Sequence, residues 1–464
     1  MPENLPMLIC TTTENPPQSP FFKGGSNIGA RFNISLNRTR RQARRQARIP
    51  YTTQISTMKI RSLTPDEKLL LALSFSQLVA WGSCYYAYAV LMEPIQAALH
   101  ISKSTAAGAY SLGLLVMGVT AMGVGILIDR GRHFQVLVGG TLMTIVGMLL
   151  HAAIESVWQL YAVWALIGAG MAGTLYESVF AFIIRTYPED YRRRITFVTL
   201  LGGLASTVFW PLTALLLNHF GWRGAFAGLA LLQIAGCLAC YVVYLPRQAP
   251  ARMPRSHQHD RGAPLAALLR SRPFVLLAIS FTLQSIVLAG LAAHIIALLS
   301  AGGVSASIGL LAASSIGIMQ VLGRIALLMA GSRMPPGATA RVVGWLLPAA
   351  IITLLVVSIS PWLAFLYALL FGTGNGMMTI VKGTATADLI SREHVAKLNG
   401  VLALPMAIAR ATGPILIASL WDYFGDPQAA MLSVLILACC AAIALTGAYR
   451  AAAVAAKFHQ SGRR

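Results

Sequence analysis

The amino-acid sequence predicts an all-α membrane protein whose twelve transmembrane helices form two six-helix bundles. Three observations predict this fold class: an apolar composition, twelve apolar runs of membrane-spanning length, and a repeat that relates the two halves of the chain. Of the 464 residues, 56% are hydrophobic and 11% are charged, and the mean hydropathy is +0.67. Soluble domains carry about 25% charged residues, so composition alone indicates a membrane protein.

The apolar runs are each long enough to cross the hydrocarbon layer as a helix. A spanning helix needs about 20 apolar residues, and in lipid its backbone polar groups must be satisfied within the segment. Hydropathy averaged over about 19 residues predicts twelve spans, numbered here in chain order. They lie near 69–91, 104–128, 135–155, 158–185, 195–217, 224–245, 274–300, 304–330, 342–359, 362–384, 399–421 and 429–449.

Basic residues are concentrated in the connections on one side of the predicted bundle. Connections after even-numbered spans contain fifteen Lys and Arg, and those after odd-numbered spans contain two, Lys103 and Arg223. The positive-inside rule then places both termini and the central loop in the cytoplasm, in a multi-pass protein of the cell (inner) membrane. This topology accounts for most of the formal charge of +21, so we expect no nucleic-acid partner.

Two polar segments lie outside the predicted bundles: a leading segment, 1–62, and a linker between the halves, 246–273. The leading segment has no apolar period and contains "RTRRQARRQAR", which predicts a disordered basic cytoplasmic arm. The stretch "MKIRSLTPDEK" from Met58 is typical of a natural start; we therefore expect the first 57 residues to be a mis-called extension. The predicted organisation is a leading segment 1–62, a bundle 63–245, a cytoplasmic linker 246–273, a second bundle 274–450 and a cytoplasmic tail 451–464.

The two bundles repeat one another in sequence. "YAVWALIGAGMAG" from Tyr161 in span 4 matches "YALLFGTGNGMMT" from Tyr367 in span 10, and Pro211 in span 5 matches Pro414 in span 11. A duplicated six-helix unit is typical of secondary transporters, whose substrate site lies between the repeats near the midplane. The "GAGMAG" at 168–173 fits a dinucleotide-binding pattern, but it lies inside a span, so we expect close helix packing instead.

Twelve spans, a basic central loop and "GILIDRGRH" between spans 2 and 3 resemble the major facilitator superfamily. The family's loop signature is matched by Asp129, Arg130, Gly131 and Arg132, with one spacer residue missing. The resemblance implies two bundles that rock about a central site. It also implies that these residues, together with Gly125, hold the cytoplasmic face and do not bind substrate.

Charged residues inside the spans carry most of the functional information. Glu177 is the one acidic residue within a span, and the basic ones are Arg324, Lys382 and Arg410. A charge at the bilayer centre costs about 2.5–3.5 kcal/mol on insertion scales. The fold does not require these three cations, because their repeat equivalents are uncharged: Val124, Tyr176 and Thr207. Their clustering predicts a positively charged cavity wall that suits an anion.

The stretch "QVLGRIALL" resembles the eighth span of monocarboxylate porters and oxalate/formate antiporters. The resemblance implies that Arg324 engages a substrate carboxylate and that Arg410 is the second basic residue, on span 11. Gln320 stands where the porters carry an aspartate, and span 1 has no lysine. Guanidinium groups bind carboxylates through two parallel hydrogen bonds. Arg410 lies farther from the span ends, so we expect it to be the main contact.

The other candidate residues complete the predicted substrate site. Trp81, Tyr85 and Tyr88 are spaced four and three apart on span 1, so they share a helix face that lines either the cavity or the core. Tyr176, Gln320 and Lys382 complete the predicted site. Glu177 is the candidate proton-coupling group, and the alternative is a buried partner for Lys382 or Arg185.

These observations predict a secondary active transporter that moves a small organic anion, a mono- or dicarboxylate, by alternating access. Protons are the candidate coupling ion, and we expect the protein to function as a monomer in the lipid bilayer. No catalytic or metal-binding motif is found, so we expect neither an enzyme nor a cofactor. The alternatives are an exporter of a drug-like or neutral solute and a membrane receptor derived from a transporter.

Overall fold

The computed structural model describes residues 64–248, 265–330, 336–391 and 394–461. The predicted leading segment 1–62, most of the linker and the last residues of the tail lie outside the described residues. Within the described ranges the regular elements are helices, without strands. This confirms the predicted all-α class.

The first half contains spans 1 to 6. Span 1 is longer than predicted, because a Thr64 capping box starts its helix at Pro65 and the chain stays helical to Leu99. The helices of this half are Pro65–Trp81, a π-helical turn Gly82–Tyr86, Tyr88–Leu99, Lys103–Asp129, His133–Leu150, Val157–Thr174, Tyr176–Thr186, Tyr191–Gly202, Ala205–Gln233, a second π-helical turn Ile234–Leu238, and Ala239–Tyr244.

Spans 5 and 6 form one helical stretch of 52 residues, Arg193–Tyr244. A straight helix of this length would measure roughly 78 Å at 1.5 Å per residue, far more than the hydrocarbon thickness of about 30 Å. Gly221 interrupts it with φ of 67° and ψ of 178°, a backbone conformation that favours glycine. The stretch therefore crosses twice, and the eleven apolar stretches of the described residues supply twelve spans.

The second half contains spans 7 to 12. After a short helix Leu265–Leu269, the helices are Arg272–Ala301, Ala306–Ala330, Pro336–Leu355, Leu363–Leu389, Val395–Phe424 and Pro427–Ser461. Each of the six long helices begins and ends within six residues of the predicted span, except that the last continues well beyond residue 449.

Glycines bring neighbouring spans into backbone contact in both halves. A Cβ at Gly168 would lie 2.1 Å from the Gly113 carbonyl oxygen on span 2, and one at Gly170 would lie 2.7 Å from the Gly140 carbonyl oxygen on span 3. Real Cβ contacts are essentially never this short, so both positions require glycine. The "GAGMAG" stretch therefore packs helices, as predicted. In the second half, Gly376 of span 10 plays the same part against span 8.

Two sets of contacts fix the end of the first half that carries the even-numbered connections, called the basic end. Gly131 turns the loop after span 2 with φ of 84°, and the Arg185 guanidinium donates to the carbonyls of Ile128 and Asp129. Nearby, the Tyr187 hydroxyl donates to Asp66 Oδ1 over 2.9 Å. Burial, reinforced by the Asp66 carboxylate, raises the pKa of Tyr187 to about 12, so this phenol stays a neutral donor.

The two halves contact each other towards the other end, called the odd-connection end. Ser104 N donates to Asp422 Oδ2 over 2.8 Å, and the Lys103 ammonium lies 3.6 Å from the centroid of the Trp421 ring. Deeper along the same seam, Ile415 N donates to Ser111 Oγ over 3.2 Å. These contacts join span 2 to span 11 and close the molecule at the odd-connection end.

Candidate functional site: a cavity between the two halves

A cavity of about 250 Å³ lies between the halves. It is formed by spans 1, 4 and 5 of the first half and spans 7, 8, 10 and 11 of the second. Its walls are Trp81, Tyr85, Tyr86, Tyr176, Gly202, Gly203, Trp210, Ser285, Leu288, Ala289, Ala292, Ile316, Gln320, Arg324, Phe371, Asn375, Thr379, Lys382, Met406 and Arg410.

The ionisable aliphatic side chains among these wall residues are all basic: Arg324, Lys382 and Arg410. All three come from the second half, which faces the aromatic first half. The structure thus brings together the three in-span cations that the sequence singled out. Because a low-dielectric cavity strengthens electrostatic attraction, such a wall attracts anions.

Arg324 is the most deeply buried of the cavity cations, with 6% of the residue exposed. Its Nη1 donates to the carbonyl oxygen of Thr199 on span 5, in the other half. Its Nε–H is buried and has no acceptor among the described residues. A Cβ at Gly203 would lie 2.9 Å from Arg324 Nη1, so glycine there leaves the guanidinium its space. Arg324 therefore faces the cavity and does not extend towards the membrane surface.

Span 10 positions the turn of span 8 that carries Gln320 and Arg324. A Cβ at Gly376 would lie 2.1 Å from the Gln320 carbonyl oxygen, so glycine allows the two helices to touch there. The neighbouring Asn375 then lines the cavity. The Gln320 side chain of span 8 and Tyr86 of span 1 both line the cavity.

Arg410 lies in span 11, one helical turn before Pro414. Proline has no N–H to donate to the Arg410 carbonyl, so the helical ladder is interrupted at this turn. Arg410 Nη1 donates to Glu177 Oε1 over 3.5 Å, and the two side chains are 25% and 52% exposed. The alternative interpretation of Glu177, a buried partner for Lys382 or Arg185, is wrong: its partner is Arg410, and its side chain is half exposed.

Lys382 completes the basic wall from span 10. Its ammonium lies 5.6 Å from the centroid of the Phe281 ring, within range of a cation–π contact. Its repeat equivalent, Tyr176, also lines the cavity, from span 4. The two repeats thus place different chemistry at matching positions, a cation on one side and a phenol on the other.

An aromatic wall from the first half faces the cations. Trp81 packs on Tyr176 with ring centroids 4.9 Å apart, and Tyr86 meets Trp210 edge to face at 5.4 Å. The Trp210 indole donates to the Tyr86 carbonyl over 2.9 Å. Aromatic faces of this kind accept apolar or π-bearing parts of a ligand.

The structure corrects the predicted place of Tyr88. This side chain is 1% exposed, its hydroxyl donates to the Ala106 carbonyl over 2.7 Å, and its ring stacks on Tyr110 at 4.9 Å. The predicted common face requires regular α-helix from Trp81 to Tyr88, but the π-helical turn Gly82–Tyr86 intervenes. A π-helical turn holds more residues than an α-helical one, so the cavity-facing tyrosines are displaced along the sequence.

Several cavity residues were not predicted from the sequence, chiefly Tyr86, Trp210 and Asn375. The π-helical turn hides Tyr86, and no charge or motif marks Trp210. Asn375 carried a detectable signal, because it is a polar residue within the glycine-rich span 10 repeat.

The chain resembles curated carboxylate transporters at low identity. It is 27% identical over 306 residues to monocarboxylate transporter 13 of Bos taurus, covering 65% of this chain and 70% of that protein. It is 32% identical over 161 residues to monocarboxylate transporter 2 of Homo sapiens, covering 33% and 32%. It is 26% identical over 169 residues to the oxalate:formate antiporter of Oxalobacter formigenes, covering 36% and 40%. The chain thus spans less than half of the last two.

Solved structures share the fold. A bacterial homologue of the human lysosomal transporter Spinster, crystallised inward-facing and unoccupied, has a TM-score of 0.66 at 15% identity, covering 84% of this chain and 98% of that one. The nucleoside transporter NupG has a TM-score of 0.62 at 14% identity, covering 83% and 99%. At such identities the likeness establishes the fold alone.

The family model of the Major Facilitator Superfamily matches residues 73–381, about two thirds of the chain. It extends from span 1 into span 10 and so includes both halves. Together with the twelve spans, the internal repeat and the central cavity, this match shows that the chain belongs to the major facilitator superfamily.

Proposed function

We propose that this protein is a secondary active transporter of small organic anions, mono- or dicarboxylates, that works by alternating access. The observation that carries the proposal is the charge of the cavity: Arg324, Lys382 and Arg410 line it, and no carboxylate does among the described wall residues. Three cations in one cavity wall, with Arg410 alone contacting a carboxylate among the described residues, favour an anionic ligand. Similarity to monocarboxylate transporters and an oxalate:formate antiporter supports the same class.

The arrangement of the basic and aromatic walls indicates which kind of substrate the cavity accepts. Guanidinium groups bind a carboxylate through parallel hydrogen bonds. The Nε–H of Arg324, which has no acceptor among the described residues, offers one such donor. The aromatic wall, with Trp81 and Tyr176 in contact, takes the uncharged part of the molecule. About 250 Å³ of space suits a small acid.

Transport also requires an orientation, and the basic connections supply it. By the positive-inside rule, the basic end and both termini lie on the cytoplasmic side of the cell membrane. The turns that carry Arg324 and Arg410 lie nearer the basic end than the seam contacts at Ser111–Ile415 and Ser104–Asp422. We therefore assign the described conformation to the inward-facing state, and we expect the transporter to function as a monomer.

Uptake into proteoliposomes tests the proposal. The purified protein is reconstituted and offered radiolabelled lactate, formate, oxalate and succinate, with and without a pH gradient. We expect saturable uptake of at least one acid, competed by the others. A nucleoside, a dipeptide and a lipophilic cation are the matched controls; transport of one of these with no transport of any acid contradicts the proposal and favours the drug-like or neutral solute alternative.

The second part of the proposal concerns coupling. Glu177 is the acidic side chain within the spans that pairs across the cavity, so we assign it the proton site. We expect Glu177→Gln to abolish accumulation driven by a pH gradient while substrate exchange continues. If accumulation survives in the variant, the proton travels by another route.

A further inference from the structure

One of the three cavity cations is paired with a carboxylate of the chain itself. Arg410 Nη1 lies 3.5 Å from Glu177 Oε1. Arg410 belongs to span 11 in the second half, and Glu177 begins the second helix of span 4 in the first half. The pair therefore joins the two halves beside the proposed substrate site.

We propose that Glu177 is a displaceable internal anion that competes with the substrate carboxylate for Arg410, and that this competition links substrate binding to proton uptake. The inference rests on the proposed function, because it requires an anionic substrate. It explains how a single side chain, Glu177, can respond both to substrate binding and to proton binding.

The geometry of the pair makes displacement feasible. A distance of 3.5 Å is at the long limit of a hydrogen bond, and one guanidinium nitrogen makes the contact instead of two. The Glu177 side chain is 52% exposed, and exposed ion pairs of this kind are weak. A substrate carboxylate that reaches both guanidinium nitrogens of Arg410 forms the stronger, bidentate pair.

Displacement changes the electrostatic surroundings of Glu177. It loses its cation and gains a second negative charge nearby, and both changes favour its protonated form. Binding of the anion and binding of a proton therefore promote each other, and linkage requires the effect to be reciprocal. A fall in pH then strengthens substrate binding.

Arg410 is the charged group whose loss as a partner would affect Glu177 most, as the surroundings of Glu177 indicate. The helix Tyr176–Thr186 packs on spans 2, 3 and 5. The stretches 111–128, 134–150 and 195–202 of those spans contain no ionisable side chain. The His133 ring lies 4.8 Å from that of Phe182 on this helix. The other ionisable side chains described in the helices Lys103–Asp129, His133–Leu150 and Tyr191–Gly202 outside these stretches are Lys103, Tyr110, Asp129, Tyr191, Arg193 and Arg194. On the cavity side, the titratable wall residues besides Arg410 are the phenols Tyr85, Tyr86 and Tyr176 and the cations Arg324 and Lys382. The Arg410 guanidinium is thus the cation in direct contact with Glu177 among the described residues.

Displacement also removes a tie between the halves. The Glu177–Arg410 pair connects span 4 to span 11 on the basic-end side of the seam contact at Ser111–Ile415. Substrate bound at Arg410 breaks this connection. The Glu177 carboxylate, which responds to substrate binding, therefore also restrains relative movement of the halves.

Calorimetric titration of the purified full-length protein tests the inference. Oxalate and L-lactate are the probes, each titrated at about pH 5 and about pH 7 into wild type and Glu177→Gln. At the higher pH we expect the variant to bind about two- to five-fold more tightly, since it has lost the competing carboxylate. We expect its affinity to be independent of pH, and that of wild type to approach it as the pH falls.

Two further variants complete the test. Glu93→Gln removes an exposed carboxylate of span 1 outside the cavity wall and should behave as wild type. Glu177→Asp keeps the charge on a shorter side chain, weakens the pair, and should give an intermediate affinity with the pH dependence retained. Anion binding by Glu177→Gln that is unchanged, weaker or still pH-dependent overturns the inference and leaves the proposed function standing. Failure of wild type to bind either acid contradicts the proposed function itself.

Discussion

At the scale of single residues, the two cavity arginines have different surroundings. Arg324 is 6% exposed and holds the Thr199 carbonyl, whereas Arg410 is 25% exposed and holds the half-exposed Glu177. The sequence predicted Arg410 as the main substrate contact, because it is farther from the ends of its span. Depth along a helix does not determine burial when a cavity opens beside that helix.

This contrast predicts a different tolerance for lysine. Lysine keeps the charge but loses the planar fork, and at Arg324 the fork must serve both Thr199 and the substrate. We therefore expect Arg324→Lys to weaken oxalate binding more than Arg410→Lys, measured by competition against a labelled acid in detergent. Equal losses would show that the two arginines act as interchangeable charges.

At the scale of helices, close packing between span 8 and span 5 joins the halves beside Arg324. A Cβ at Gly317 would lie 2.4 Å from Thr207 Oγ1 and 2.8 Å from the Gly203 carbonyl oxygen. Nearby, Thr207 Oγ1 donates to the Ser314 carbonyl over 2.6 Å. This seam holds the arginine-bearing turn of span 8 against the first half.

Substitution of Gly317 tests the seam. Gly317→Ala places a methyl group where there is no space, and we expect a cost of about 1–3 kcal/mol in the free energy of the described conformation. Gly309→Ala on the same span is the matched control, because its Cβ would meet Leu299 at an ordinary 3.6 Å; that change should be neutral or stabilise the helix by about 0.5–1 kcal/mol. Thermal unfolding in detergent measures both, and similar melting temperatures would argue against the seam.

At the same scale, the spans and the cavity cations could be predicted from the sequence, whereas the helix register and the pairing between the halves could not. Hydropathy located the spans, and charge in apolar surroundings located Arg324, Lys382 and Arg410, because both signals are local. Tyr88 was misplaced, because a π-helical turn changes the register without a sequence signature. The pairing of Glu177 with Arg410 joins residues 233 positions apart, and it depends on how two bundles meet, which no local pattern encodes.

At the scale of the whole molecule, the halves are joined at the odd-connection end by one polar cluster. Asp422 accepts from Ser104 N at the start of span 2, and Lys103 lies over Trp421. A carboxylate at a helix N-terminus contributes about 0.3–1 kcal/mol. Under alternating access this cluster must break when the cavity opens to that side.

Neutralising Asp422 should therefore favour the state in which the cavity opens to the odd-connection end. We expect Asp422→Asn to raise, about two- to five-fold, the rate at which an impermeant thiol reagent from the odd-connection side modifies a cysteine introduced at Ser285 in the cavity. Asp426→Asn is the control, because Asp426 accepts from Gln428 N within its own half. An unchanged rate in Asp422→Asn would remove this cluster from the closing mechanism.

The central claim is that the basic cavity wall binds an organic anion, and titration of Arg324→Ala measures it most directly. With oxalate and L-lactate as ligands, loss of a buried charged partner should cost about 2–5 kcal/mol, or roughly 30- to 3,000-fold in affinity. Arg341→Ala, at an exposed arginine outside the cavity, should bind as wild type does. Wild-type affinity in a folded Arg324→Ala protein would contradict the claim.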